Sequence, residues 1–205
     1  MHPVHYFVHK PERFTRIQLA VRFVAFCALG VLGVSFGMIF LFAYLALPVF
    51  ATSRLTAYHD PQRYLREDGQ RVLTGLRWFA AVSAWAGLVA EHLPGRSPEE
   101  AVTIEVEGSA HPGSQAALWR VLTGLPSAIV LGLLGFVGVF VWIWAALSIL
   151  FTQRIGPHAF NYLVGLQRWS IRLLVYQASL VDEYPPFSFD DTAPPYPIPR
   201  AHVMP

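Results

Sequence analysis

The sequence predicts an all-α integral membrane protein built from two tandem repeats. Each repeat is a short extended segment, a long transmembrane helix and a second, amphipathic membrane-associated helix. Three observations carry this expectation. Phe23 to Thr52 runs thirty residues without Asp, Glu, Lys or Arg, and Val121 to Thr152 runs thirty-two. Arginine flanks both runs, with Arg22 and Arg54 around the first and Arg120 and Arg154 around the second. Several residue patterns then recur in the same order in the two halves. About 20 consecutive apolar residues cross a bilayer core, so each run is long enough to span.

Composition agrees. Of 205 residues, 54% are hydrophobic and only 14% are charged. Mean hydropathy is +0.43, which belongs to the membrane class. The net charge of +2 and the lack of a basic cluster exclude nucleic acid as a partner. Lys10 is the only lysine, so the cationic chemistry is arginine chemistry. Cys27 stands alone in the first run and has no intramolecular disulfide partner. That run lacks a small-residue cleavage site and exceeds a signal h-region, so it is expected to persist as a helix.

The first repeat is read over residues 1–95. It opens with an alternating segment, Val4 to His9. A transmembrane helix follows over about 20–50 and a second helix over about 69–92. Between them, Leu55 to Arg71 reads as a polar loop, with His59, Asp60 and Pro61 as a turn signal. The second repeat covers 96–189. It has an alternating segment at Val102 to Glu107, a transmembrane helix over about 121–152 and a second helix over about 158–181. Phe50 to Arg54 matches Phe151 to Arg154, and Gly75 to Trp78 matches Gly165 to Trp169. Trp85 matches Tyr176, Glu91 matches Asp182 and Pro94 matches Pro185. The offset is about 100 before the Arg54/Arg154 pair and 91 after it, so the first copy carries the longer loop. Residues 190–205 form a Pro-rich tail. From Tyr184 onward there are seven prolines in twenty-two residues, which excludes helix and central strand.

The second half resembles the DUF4389 family of bacterial membrane proteins. The resemblance rests on Phe151, Thr152 and Arg154, on Arg168, Trp169, Arg172 and Tyr176, and on Asp182 through Phe187. An acid followed by Tyr184, Pro185, Pro186 and Phe187, after an Arg-Trp helix, is its distinctive part. Pro11 to Arg16 looks like the start of the same unit, which makes the chain a two-copy member. Two features depart from the pattern. The family's Phe-Thr-Gly-Arg-Tyr-Pro turn is replaced by Phe151 to Pro157, and the first copy lacks the Tyr-Pro-Pro-Phe ending. The family's function is unknown, so the resemblance implies architecture and a bacterial inner-membrane location, and no activity.

Candidate functional residues follow from position. Gly33 and Gly37 form a GxxxG, and Ala128 with Gly132 is small-xxx-small, so these four are read as helix-packing sites. In the second helix of copy two, Asn161, Gly165, Arg168, Arg172, Tyr176 and Ser179 form one polar stripe. Copy one has a shorter stripe of Gln70, Thr74 and Arg77. Three placements fit such a helix: in the interface, spanning the bilayer, or on the membrane surface. The interfacial one is preferred for copy two, because an unpaired Arg172 at mid-bilayer costs about 2.5–3.5 kcal/mol on insertion scales. Arg77, Trp78, Arg168, Trp169, Arg172 and Tyr176 are then expected to contact lipid phosphate or a partner. With interfacial second helices the two alternating segments fall on opposite faces. With four spans they share a face and can pair as strands. Tyr184, Pro185, Pro186 and Phe187 are expected to dock as an extended strap.

Catalytic signatures are missing from the sequence: no HExxH, no phosphate-binding loop and no dinucleotide fingerprint. His2, His5 and His9 lie on an alternating segment, where their side chains diverge, so no metal and no cofactor is expected. The sequence reads as a non-enzymatic accessory or scaffold subunit of a membrane complex. A component of a small-molecule or lipid-handling transporter is the alternative, and a membrane enzyme comes third. The partners expected are membrane lipid and another membrane protein or a second copy.

Overall fold

The computed structural model describes residues 2–8, 10–32, 35–106 and 110–189. The fold is mostly helical. Strand β1 is Val4–Val8 and is followed by helices α1, Arg16–Val31, and α2, Phe36–Tyr58. A short helix α3, Pro61–Tyr64, leads through a π-helical turn, Leu65–Gly69, into α4, Gln70–Ala86. Strand β2 is Val102–Val106. Helices α5, Ser114–Thr152, and α6, Pro157–Gln177, complete the body.

Two helices are long and apolar enough to cross a membrane, Phe36–Tyr58 and Ser114–Thr152. Only 17% of the most apolar stretch of each is buried inside the protein. α5 extends about 58 Å at 1.5 Å per residue. α1 and α2 lie antiparallel to it, one after the other. Arg16 Nε donates to the Leu150 carbonyl at 3.0 Å, and the Phe26 and Trp142 rings meet at 5.4 Å. Further along, the Tyr44 hydroxyl donates to the Val121 carbonyl at 2.5 Å, and Thr52 Oγ1 donates to the Ser114 carbonyl at 3.3 Å.

Several sequence expectations need correcting. The first apolar run is two helices rather than one over 20–50. Leu32 is the C-cap of α1, and the Ser35 side chain accepts from Met38 N to start α2. That hydroxyl occupies an orphan N–H, which favours a new helix start over continuation. The segment 55–71 is mostly helical rather than a loop. His59 does end α2 in a left-handed conformation, with φ 53°, and Asp60 caps α3 with Pro61 in its first turn. The π turn then points Asp68 inward, 3.4 Å from Arg54 Nε. α4 and α6 are also shorter than the spans 69–92 and 158–181. Leu88 (φ 61°) and Ser179 (φ 57°) turn left-handed, and Val89 N and Leu180 N reach back to the Ala84 and Val175 carbonyls, closing each helix.

An all-α description is also incomplete, because β1 and β2 pair antiparallel with Tyr6 opposite Ile104. The two segments therefore lie side by side, as the four-span reading expected, and not on opposite faces as the preferred reading did. α6 is the most enclosed helix; every residue from Ile171 to Gln177 is buried. It packs against α5, α4, α2 and β1, so it is no surface helix. The tail 190–205 lies outside the described residues, as do Gly33, His9 and Glu107.

Candidate functional site: an arginine-held junction and an apolar cavity

The arginines of the polar stripes point inward. Arg168 forks from Nε and Nη2 onto the Tyr6 carbonyl, each at 3.4 Å, and its Nη1 donates to the Phe189 carbonyl. Arg172 is 1% exposed and donates from Nε to the Val4 carbonyl at 3.2 Å. Arg77 donates to the Ile104 carbonyl at 3.2 Å. Helix α6 thus holds the strand at the chain start, while α4 holds the strand before α5. The expected lipid-phosphate contact is corrected for Arg172 and Arg168. A guanidinium has five donors and no acceptor, and the edge of a two-stranded sheet offers unpaired carbonyls close by.

Among the other stripe residues, Gly165, Tyr176 and Ser179 are buried, whereas Gln70, Thr74 and Asn161 are exposed. Trp169 is 3% and Tyr176 8% exposed, while Trp78 is half-buried. Residues 184–189 lie over α6 as a strap. The Tyr184 hydroxyl is 2.6 Å from Ser127 Oγ, and its ring meets Tyr176 at 5.6 Å. Phe187 packs edge-on to Trp169 at 5.3 Å. Pro185 is buried; Pro186 faces outward. Phe189 sits on Gly165, where an added Cβ would come within 2.6 Å of its ring.

Among the described residues, Gly37 and Gly132 of the expected packing sites are not close-approach points. Gly37 and Gly132 are exposed. A Cβ at Gly132 would meet nothing within 4 Å, and one at Gly37 only the Ser35 hydroxyl. Ala128 is half-buried against the core. Close approach occurs instead at Gly138, whose added Cβ would lie 3.1 Å from Leu166, and at Gly124, 3.0 Å from the Tyr44 hydroxyl. Spacing identifies small residues but not the neighbour they face.

Two buried arginines that sequence reasoning treated only as flanks occupy matching places. Arg22 is fully buried and donates to the Ala90 and Glu91 carbonyls, with Trp85 at 5.4 Å and Phe14 at 5.8 Å from its guanidinium. Arg120 donates to the Tyr176 and Val181 carbonyls and to Asp182 Oδ1 at 2.8 Å, with the Tyr176 ring at 4.5 Å. The Asp182 carboxylate also accepts from His111 N, as Glu91 accepts from Thr15 N. Arg22 and Arg120 are 98 positions apart, as are Tyr6 and Ile104. Ala90 and Val181 are 91 apart, as are Trp85 and Tyr176, and Arg77 and Arg168. The signal for these arginines was present as the last charges before each apolar run.

Between α1, α4, α5 and α6 lies an apolar cavity of about 490 Å³. Phe26 and Phe36 meet edge-on at 5.8 Å on one wall, and Gly138 and Trp142 form another. Gln167 and Ser83 are its polar residues. Gln167 Nε2 donates to the Ser83 carbonyl at 2.7 Å, and its Oε1 accepts from the Tyr6 hydroxyl at 2.8 Å. Trp142 Nε1 donates to the Ala86 carbonyl at 2.9 Å. Burial raises the pKa of the Tyr6 phenol above its ordinary value, so it stays a neutral donor.

The stretch that carries α5 and α6 is recognisable. Residues 114–188 match the family described as a domain of unknown function, DUF4389. The DUF4389 match takes in α5, α6 and the strap through Ser188. No curated protein and no solved structure matches the chain. Among the described residues, no three of His, Cys, Asp and Glu converge as metal ligands.

Proposed function

We propose that the chain is a duplicated, non-enzymatic integral membrane protein of the bacterial inner membrane, serving as an accessory or scaffold subunit. One observation carries the reading: the long helices leave large apolar side chains on their outer faces. Phe136 and Phe140 are 67% and 60% exposed, and Trp144 is 67% exposed. A continuous apolar face of this kind requires lipid or a partner to cover it. The buried arginines support the reading, because Arg22, Arg120 and Arg172 donate to the chain's own carbonyls and hold the fold. Contacts recurring at intervals of 98 and 91 support duplication, a common origin of membrane folds.

Photo-cross-linking residues placed at Phe136 and Phe140 in native membranes test the scaffold role. Adducts to one membrane protein, or to a second copy, are expected. Adducts to lipid alone at both positions overturn the scaffold role. The alternative, a lipid-handling component of a transporter, draws on one specific observation, the apolar cavity.

A further inference from the structure

We infer that the cavity between α1, α4, α5 and α6 is a slot for one hydrocarbon chain of a membrane lipid. The inference rests on the membrane reading above and deepens its lipid-handling alternative.

Water is a poor occupant. A buried water needs two to four polar partners. The polar groups at the floor already bond to one another: Gln167 to Ser83 and Tyr6, and Trp142 to Ala86. Apolar cavities of about 150 Å³ stay dry and take small hydrocarbons, and this one is about 490 Å³. A partner helix is a poor occupant too. At 10–12 Å across and 5.4 Å per turn, a helix fills about 400–600 Å³ per turn, so a single turn would exhaust the space. A flexible chain one carbon wide has no such limit.

The other half of the molecule shows what fills the corresponding place. There, Tyr44 stands at the position matching Trp142, and Gln177 at the position matching Ala86. Tyr44 reaches the Val121 carbonyl and Gln177 Nε2 reaches the Arg120 carbonyl at 3.0 Å. Both close on Gly124, and Tyr184 seals the edge against Ser127 and Tyr176. In the first half the methyl of Ala86 replaces the Gln177 side chain, and Leu93, at the position of Tyr184, is 52% exposed. That half has Phe26 at the position of Gly124, against Trp142 at 5.4 Å, but only a methyl in the place of the Gln177 side chain and an exposed residue in the place of the strap's Tyr184. Its walls include Gly135 to Trp142, the middle of the α5 apolar run, where lipid chains are the surrounding medium. An added Cβ at Gly135 would meet nothing within 4 Å, so that wall faces open space.

The test uses the full chain in phosphatidylethanolamine–phosphatidylglycerol vesicles containing a phosphatidylcholine with a diazirine on its acyl chain. Photolysis and peptide mapping should place adducts on Phe26, Gly138 or Trp142 as well as on the outer-face residues Phe136 and Phe140. Gly135→Phe, at a residue lining the cavity, should lower the cavity adducts about tenfold while leaving the outer-face adducts in place, equivalent to about 1.4 kcal/mol of lost binding. Ala86→Leu gives a second, smaller obstruction should Gly135→Phe fail to fold, and should lower them in the same direction. Outer-face adducts without cavity adducts overturn the slot and leave the membrane reading standing. Cavity adducts that neither Gly135→Phe nor Ala86→Leu lowers come from lipid outside the slot and also overturn it. Absence of adducts at both sites removes the membrane reading together with the slot.

Discussion

Under the proposed duplication, the two halves of this molecule follow one plan and finish differently. In the second half a single unbroken helix, α5, runs beside α6, and the strap 184–189 covers the seam. Arg120 there has three acceptors, one of them the Asp182 carboxylate. In the first half the long helix is interrupted between α1 and α2. Arg22 has two carbonyl acceptors, and its Nε and Nη1 have no hydrogen-bond partner among the described residues. The seam with the strap, and with a carboxylate on its arginine, is closed; the seam whose arginine meets only carbonyls borders the cavity. A buried cation is tolerated where its donors are matched; the first half matches fewer and stacks the remainder on aromatic rings.

The largest expected effect separates the two arginines. Arg120→Met should lower unfolding free energy by about 2–4 kcal/mol, because it unpairs two buried carbonyls and removes a charge-assisted bond to the partly exposed Asp182. Arg22→Met should cost about 1–3 kcal/mol, as for carbonyls left unpaired. Thermal unfolding in mild detergent reads both. An equal or larger loss at Arg22 would break the comparison.

A second pair tests the cavity from either side. Gln177→Ala opens space in the closed half and should destabilise by about 1–3 kcal/mol. Ala86→Leu fills space in the open half and should be neutral or stabilise by up to about 1 kcal/mol. Opposite signs sharpen the comparison; destabilisation by both would show that the open half is already well packed.

The strap comes next. Tyr184→Ala with Phe187→Ala should cost about 1–2 kcal/mol and speed proteolysis near Ser188. Leu93→Ala, at the matching position of the first half, should shift stability by no more than about 0.5 kcal/mol. Rapid cleavage after Tyr184 or Phe187 in the unaltered protein would mean that the strap does not hold.

The smallest effect is a pH dependence in the link that the first half has instead of a strap. Glu100 accepts from Gly95 N, Arg96 N and Ser97 N, and these N–H groups hold its carboxyl below the usual 4.5. Such a lowered pKa contributes stability that is complete above about pH 4.5 and is lost as pH falls through the folded value. Proteolysis after Arg96 should therefore accelerate only in acid. Glu100→Gln should remove most of that pH dependence.

Much of the helical framework was legible in the sequence. Charge-free length locates α5, and His59, Asp60 and Pro61 mark the stop of α2 and the start of α3. The break at Ser35 was not, because one hydroxyl inside an apolar run carries no period. The stripe on α6 was visible, but periodicity gives a side of the helix and not what that side faces. Its arginines meet Val4 and Tyr6, over 160 residues away, and only the fold brings that strand there. The sequence also marks Gly33, Gly37, Ala128 and Gly132 as small, whereas close packing falls on Gly124 and Gly138, whose importance depends on Tyr44, Gln177 and Leu166.

The central claim is that α2 and α5 lie within a bilayer. Cysteine accessibility tests it most directly. On a Cys27→Ser background, Leu41→Cys and Val137→Cys place thiols on outward faces of the two helices, at residues 56% and 48% exposed in the isolated chain. A membrane-impermeant maleimide, applied to both sides of native membranes, should label neither until detergent is added, whereas Arg63→Cys should label without detergent. Labelling of position 41 or 137 in intact membranes would contradict the account.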